Sequence, residues 1–133
     1  MNRKTRMRLK TTMALAVGLL FAQGANAAGT AACKYDVTSS WWGGGIATVS
    51  ITNQGTDTLH GWEVSWTYGD GSYVAGSAWN GFVTGSAPTF TASDGGGWNK
   101  DIAPGGTASL GFVFGGQDAM NVNIPKVTGD ICK

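Results

Sequence analysis

Apolar and polar side chains alternate along most of the chain with the two-residue period of a strand, and no ten-residue stretch after the first thirty residues carries the 3.6-residue period of a helix. In residues 47–53, ATVSITN, Ala47, Val49 and Ile51 share one face while Thr48, Ser50 and Thr52 share the other. One side meets a core and the other meets water. The segment GWEVSWTY sets Trp62, Val64, Trp66 and Tyr68 against Glu63, Ser65 and Thr67, which makes Trp62 and Trp66 the core tryptophans. The later segment TASLGFVFGG places Leu110, Phe112 and Phe114 on one face, after the turn signal Ala103-Pro104-Gly105-Gly106. Weaker strands are expected at 35–39, 72–79, 88–93 and 122–128. Most of the 22 glycines read as punctuation between these runs. The pattern predicts an all-β chain folded as an antiparallel β-sandwich.

The first 27 residues differ from the rest. Arg3, Lys4, Arg6, Arg8 and Lys10 precede an apolar stretch from 13 to 21 and the small residues Ala25-Asn26-Ala27. This is the layout of a secretory signal peptide cleaved after Ala27, with an apolar stretch too short to span a bilayer. Residues 28–133 are then expected as one secreted, extracellular domain, monomeric. Removing the leader also changes the charge. The whole chain carries +1, but residues 28–133 hold four lysines against eight carboxylates, a net charge of −4. They offer no basic patch for nucleic acid or an anionic membrane surface, so an uncharged partner is expected.

A domain of about a hundred residues gains from a covalent tie. Cys33 and Cys132 stand near its two ends, and export favours a disulfide between them. The competing reading, a reactive or metal-binding thiol pair, lacks CxxC spacing and a nearby histidine.

Four of the six tryptophans do not sit in the apolar runs. Trp41 and Trp42 lie in SSWWGGG, Trp79 in GSAWNG and Trp98 in GGGWNK, where turns and strand edges rather than cores are expected. Exposed indoles in such settings indicate a binding surface.

The order of these features resembles the bacterial family 2 carbohydrate-binding modules, the cellulose-binding domains of secreted plant-wall enzymes. The resemblance runs from Cys33 to Cys132 through W..GG.A.V.I.N at 41–53, GWEVSWTY, AWN at 78–80, WN at 98–99 and IAPGGTASLGF. It implies a nine-stranded, jelly-roll-like β-sandwich whose flat face carries three tryptophans, here Trp41, Trp79 and Trp98, stacked on the sugars of a glucan. It also places the family's buried tryptophan at Trp62 and its terminal disulfide at Cys33–Cys132. Xylan-binding relatives carry an arginine three residues after the first surface tryptophan. Here that position is Gly44, which leaves Trp41 free to lie flat and favours crystalline cellulose, or chitin, over xylan. Two departures stand out: Gly45-Ile46 replaces the family's phenylalanine position, and Trp42 is an extra indole that either broadens the platform or packs beneath it.

The chemistry suits the ligand. A glucose ring has apolar faces of axial C–H bonds and a rim of equatorial hydroxyls, so an indole covers the face without stripping water from the rim. Removing on the order of 50 Å² of apolar surface per ring gives about 1 to 1.5 kcal/mol. Micromolar binding needs about 8 kcal/mol, so polar contacts and a rigid platform must contribute. Asn80 and Asn99, next to Trp79 and Trp98, either reach sugar hydroxyls or cap their own turns. If the indoles stand two ladder steps apart, the spacing is roughly 10 Å, near the two-sugar repeat of a β-1,4-glucan.

Enzymatic readings find less support. Asp70 and Asp94 lie in GDGS and SDGG turns, Glu63 faces away from the expected core, and no carboxylate pair fit for glycoside hydrolysis stands out. His60 is the only histidine, so no multi-histidine metal site exists, and the glycines lack the Gly-Lys-Ser/Thr of a phosphate loop. The expectation is a non-catalytic module without cofactor or metal. Its partner is cellulose or a related β-1,4-glycan, beside a secreted glycoside hydrolase. The alternative is a secreted protein-interaction sandwich using the same aromatic face.

Overall fold

The computed structural model describes residues 29–116 and 123–133. The expected leader, residues 1–27, therefore lies outside the described residues. Among the described residues nine strands follow one another: β1 (Ala31–Trp41), β2 (Gly44–Asn53), β3 (Leu59–His60), β4 (Glu63–Thr67), β5 (Tyr73–Trp79), β6 (Phe82–Ser86), β7 (Thr89–Ser93), β8 (Asp101–Ile102) and β9 (Thr107–Gly115). They form a four-stranded sheet in the order β1-β2-β9-β5, a three-stranded sheet in the order β4-β7-β6, and a small β3-β8 ladder. All named strand pairs are antiparallel.

The alternation explains why two sheets face each other. Tyr35, Val49, Ile51, Leu110, Phe112 and Phe114 point inward from the larger sheet, and Val64, Trp66, Phe90 and Ala92 from the smaller one; all are buried. Trp66 bridges the layers. Its indole stacks on Phe112 at 5.3 Å with the planes 7° apart, and Tyr35 meets both rings edge-on. Each such pair adds about 0.5 to 1.5 kcal/mol beyond the area buried. The phenols of Tyr35 and Tyr68 satisfy each other at 2.8 Å, and burial raises both above the usual tyrosine pKa, Tyr35 far above it, so the pair stays neutral. The core tryptophans Trp62 and Trp66 are where the sequence pattern puts them.

Cys33 and Cys132 are joined, with their Cα atoms 5.6 Å apart across 99 positions of sequence. Closing so long a loop restricts the unfolded chain and contributes about 4 to 5 kcal/mol. The bond also seats the last residues along β1: the Ala31 amide donates to the Ile131 carbonyl at 2.8 Å, and the Lys133 amide to the Ala31 carbonyl at 3.0 Å. The outer edge of β1 is covered there.

One strand expectation, at 122–128, needs correction, and one strand was not expected. Residues 123–128 make only an isolated bridge between Ser65 and Thr128, because Pro125 has no N–H to continue a ladder. Conversely, β6 escapes the alternation. Its inward positions are Val83 and Gly85, and Gly85, at φ 111°, lies so close to the Thr89 carbonyl that a side chain there would need the backbone to shift.

Candidate functional site

The side of the larger sheet that faces away from the core is where the aromatic residues collect. Because Ala47, Val49 and Ile51 face inward from β2, Gly44, Ile46 and Thr48 face outward; on β9 the outward set is Ser109, Gly111, Val113 and Gly115. The register runs Trp41 to Gly44 to Gly115 to Tyr73, one residue from each of the four strands, in a single cross-strand row. Four residues along β9, Trp79 stands opposite Gly111.

In all three aromatic–glycine pairs the ring lies against its own cross-strand partner. A Cβ on Gly44 would come within 2.9 Å of the Trp41 Nε1, and one on Gly115 within 2.5 Å of the Tyr73 Cζ; one on Gly111 would run into the Trp79 indole. The glycines have no side chain to lift the rings, so each ring covers backbone with one side and shows the other to solvent. Exposures of 44% for Trp41, 45% for Trp79 and 47% for Tyr73 match that half-covered posture. At Gly44 it is the missing side chain that permits this contact with the Trp41 ring. The reading of the glycines as punctuation does not hold for Gly44, Gly111 and Gly115, which lie within strands and seat the rings.

The predicted spacing also changes. Trp41 and Trp79 are not two ladder steps apart across the sheet; their glycine seats differ by one strand and by four residues along it, or about 13 Å. The offset runs mainly along the strands.

Trp42 is 81% exposed at the tip of the β1–β2 hairpin. It occupies the first position of a two-residue turn whose second position, Gly43 at φ 89°, requires the conformation glycine adopts without strain. Trp42 therefore does not pack beneath the platform.

Trp98 is 83% exposed on the loop from β7 to β8 rather than on a strand. The loop is fastened on both sides of it. The neighbouring Asn99 is buried, donates its side-chain amide to the Asn80 carbonyl at 2.8 Å, and accepts the Trp62 indole N–H on its backbone carbonyl at 3.0 Å. Upstream, the Asp94 carboxylate accepts the amides of Trp62 at 2.7 Å and Gly96 at 2.6 Å. Partial burial pushes the Asp94 carboxyl up, but these amides and the nearby Lys100 charge outweigh it and hold the pKa below the usual value. The buried Trp62 thus orders the loop that presents Trp98, and Asn99 ties that loop to the residue after Trp79.

Asn99 is accordingly a correction. Its amide turns inward to fasten two loops instead of facing sugar, because a buried amide must find partners. Asn80 is exposed and adopts φ 63°, a left-handed conformation that asparagine tolerates, as the chain turns from β5 into β6. Tyr73 was missed by the sequence reading, which weighed only tryptophans. The signal that marks it is Gly115 at an outward position of β9.

The acidic groups have local structural work. Asp70 accepts the amides of Ser72 and Asn123, each at 3.0 Å. Partial burial raises its pKa, but the hydrogen bonds from Ser72 and Asn123 outweigh that effect and leave it lowered. Among the described residues no three His, Cys, Asp or Glu side chains cluster to hold a metal ion. A groove of about 620 Å³ lined by His60, Glu63, Asp94 and Asp130 lies on the opposite sheet, away from the aromatic row. His60 is paired there with Asp101 at 3.2 Å.

Comparison with known proteins agrees with this architecture. The profile of the family described as "Cellulose binding domain" matches residues 31–132. Endoglucanase B of Cellvibrio japonicus is 42% identical over 102 residues, covering 77% of this chain and 19% of that enzyme. The chain spans about a fifth or less of the length of the first curated relatives it matches. Among solved structures, the chitin-binding domain of Chi18aC from Streptomyces coelicolor superposes with a TM-score of 0.60 at 33% identity, over 78% of this chain and 95% of that one. The cellulose-binding family 2 carbohydrate binding domain from ScLPMO10C gives 0.56 at 32% identity, over 76% and 97%.

Proposed function

The chain belongs to the cellulose binding domain family, and from that premise we propose that residues 28–133 are a non-catalytic module that holds insoluble β-1,4-linked polysaccharide through Trp41, Trp79 and Trp98. The observation that carries this reading is the seating of Trp41 and Trp79 on Gly44 and Gly111, which turns an indole face outward at each position. A sugar ring laid on such a face loses water only from its C–H side and keeps its hydroxyls solvated. Crystalline cellulose is the first substrate, since a flat solid presents many such faces at once. Chitin is the second, because the similar domain from Chi18aC is a chitin-binding domain and the 2-acetamido group stands on the rim and not on the stacked face. The exposed Asn80 and Trp42 extend the polar and apolar reach of this surface.

The leader-like first 27 residues extend the proposal to export, and the endoglucanase and xylanase relatives to work beside a glycoside hydrolase. The test is depletion of the mature protein by microcrystalline cellulose, chitin and insoluble xylan, with a serum-albumin resin as protein control. The expected order is cellulose and chitin well above xylan. Capture by the protein resin and not by the polysaccharides would favour the protein-interaction alternative.

A further inference from the structure

We infer that Tyr73 forms an additional sugar subsite over Gly115. The inference rests on the proposed polysaccharide-binding reading and adds a position to it. Tyr73 shares the features that single out Trp41 and Trp79. It lies at the end of a strand of the larger sheet, directly opposite a glycine, with its ring against that glycine and nearly half its surface in solvent. No packing need accounts for an aromatic residue there, since the core lies on the other side of the sheet.

Position gives the residue its role. The Trp41 ring rests over Gly44 on β2 and the Tyr73 ring over Gly115 on β9, and those glycines are direct partners on adjacent strands, about 5 Å apart. Trp79 rests over Gly111 on the same strand as Tyr73, about 13 Å further along. The three rings form a right-angled patch: Trp41 and Tyr73 side by side in one row, Tyr73 and Trp79 in one file. A β-1,4-glycan advances by about 5 Å per sugar, close to one strand spacing, so a chain stacked on Trp79 and running along β9 meets Tyr73 two to three sugars later. Tyr73 thus fills the bare backbone that a row of tryptophans alone would leave beside Trp41. Its ring is smaller than an indole, but stacking needs only an apolar face, and the phenol rim adds a donor for a sugar hydroxyl.

The experiment compares Tyr73→Ala, Tyr73→Phe, Tyr73→Trp and Trp79→Ala in depletion isotherms on microcrystalline cellulose, with thermal unfolding of each. The expected result is a loss of about 5- to 10-fold in affinity for Tyr73→Ala, a change within about 2-fold for Tyr73→Phe, and equal or tighter binding for Tyr73→Trp. Should Tyr73→Ala fail to fold, the wild-type ring protons decide the matter. Titration with cellohexaose should shift the Tyr73 and Trp79 ring signals together. Unchanged affinity for Tyr73→Ala, or a silent Tyr73 ring beside a shifting Trp79, overturns the subsite and leaves the general reading standing. Indifference of both residues in both measurements overturns that reading itself.

Discussion

Trp79 and Gly111 face each other across the β5–β9 ladder, and the indole lies on the glycine rather than beside it. A ring seated this way is oriented by main chain, which cannot swing out of its path as a side chain can. The binding face is therefore encoded as much by residues that are missing a side chain as by those that carry one.

Gly111→Ala tests that dependence. The new methyl occupies the space of the indole, so the ring must tilt, and cellulose affinity should fall about 10-fold, as if one stacking contact were lost. Depletion isotherms check the loss, and a changed tryptophan emission spectrum checks the tilt.

Asn99→Ala separates fastening from sugar contact. Removing the bond to the Asn80 carbonyl should lower stability by about 1 kcal/mol and loosen the loop that presents Trp98, so both melting temperature and retention fall. A residue that only touched sugar would lower retention alone.

Asp94 gives stability a pH dependence of defined sign. Its folded carboxyl titrates below the ordinary value of 3.8, so the stabilisation is complete above that value and is lost as pH falls through the lowered pKa. Asp94→Asn should therefore melt well below the wild type at neutral pH. The gap should narrow progressively as the pH falls below 3.8 and the wild-type carboxylate takes up its proton.

Reduction of Cys33–Cys132, or Cys132→Ser, should cost about 4 to 5 kcal/mol, which for a domain of this size lowers the melting temperature by about 20 °C. Retention on cellulose measured well below the new transition should be little changed, since the bond lies apart from the aromatic row.

Much of this architecture was readable in the alternation. Val49, Trp66 and Phe112 each appear in runs where every second residue is large and apolar, and each is buried. The exposed tryptophans were readable for the opposite reason, since Trp42 and Trp98 have no such companions. What escaped depends on which residues of separate strands meet. Tyr73 gains its meaning from Gly115, more than forty positions away, and a pattern confined to one strand cannot show that pairing. The inward turn of Asn99 likewise depends on Trp62 and Asn80, which only the folded chain brings together. β6 was missed because one of its two core-facing positions is a glycine.

A domain that accumulates on a solid reaches crowding far above that of free solution, and open strand edges under such crowding invite neighbouring molecules to pair into aggregates. Here the beginning of one border of the larger sheet is covered by the last residues of the chain, held against Ala31 and stitched to Cys33 through Cys132. The other border is broken by the register shift between Ala75 and Trp79. Both features leave less regular backbone for a neighbouring copy to extend.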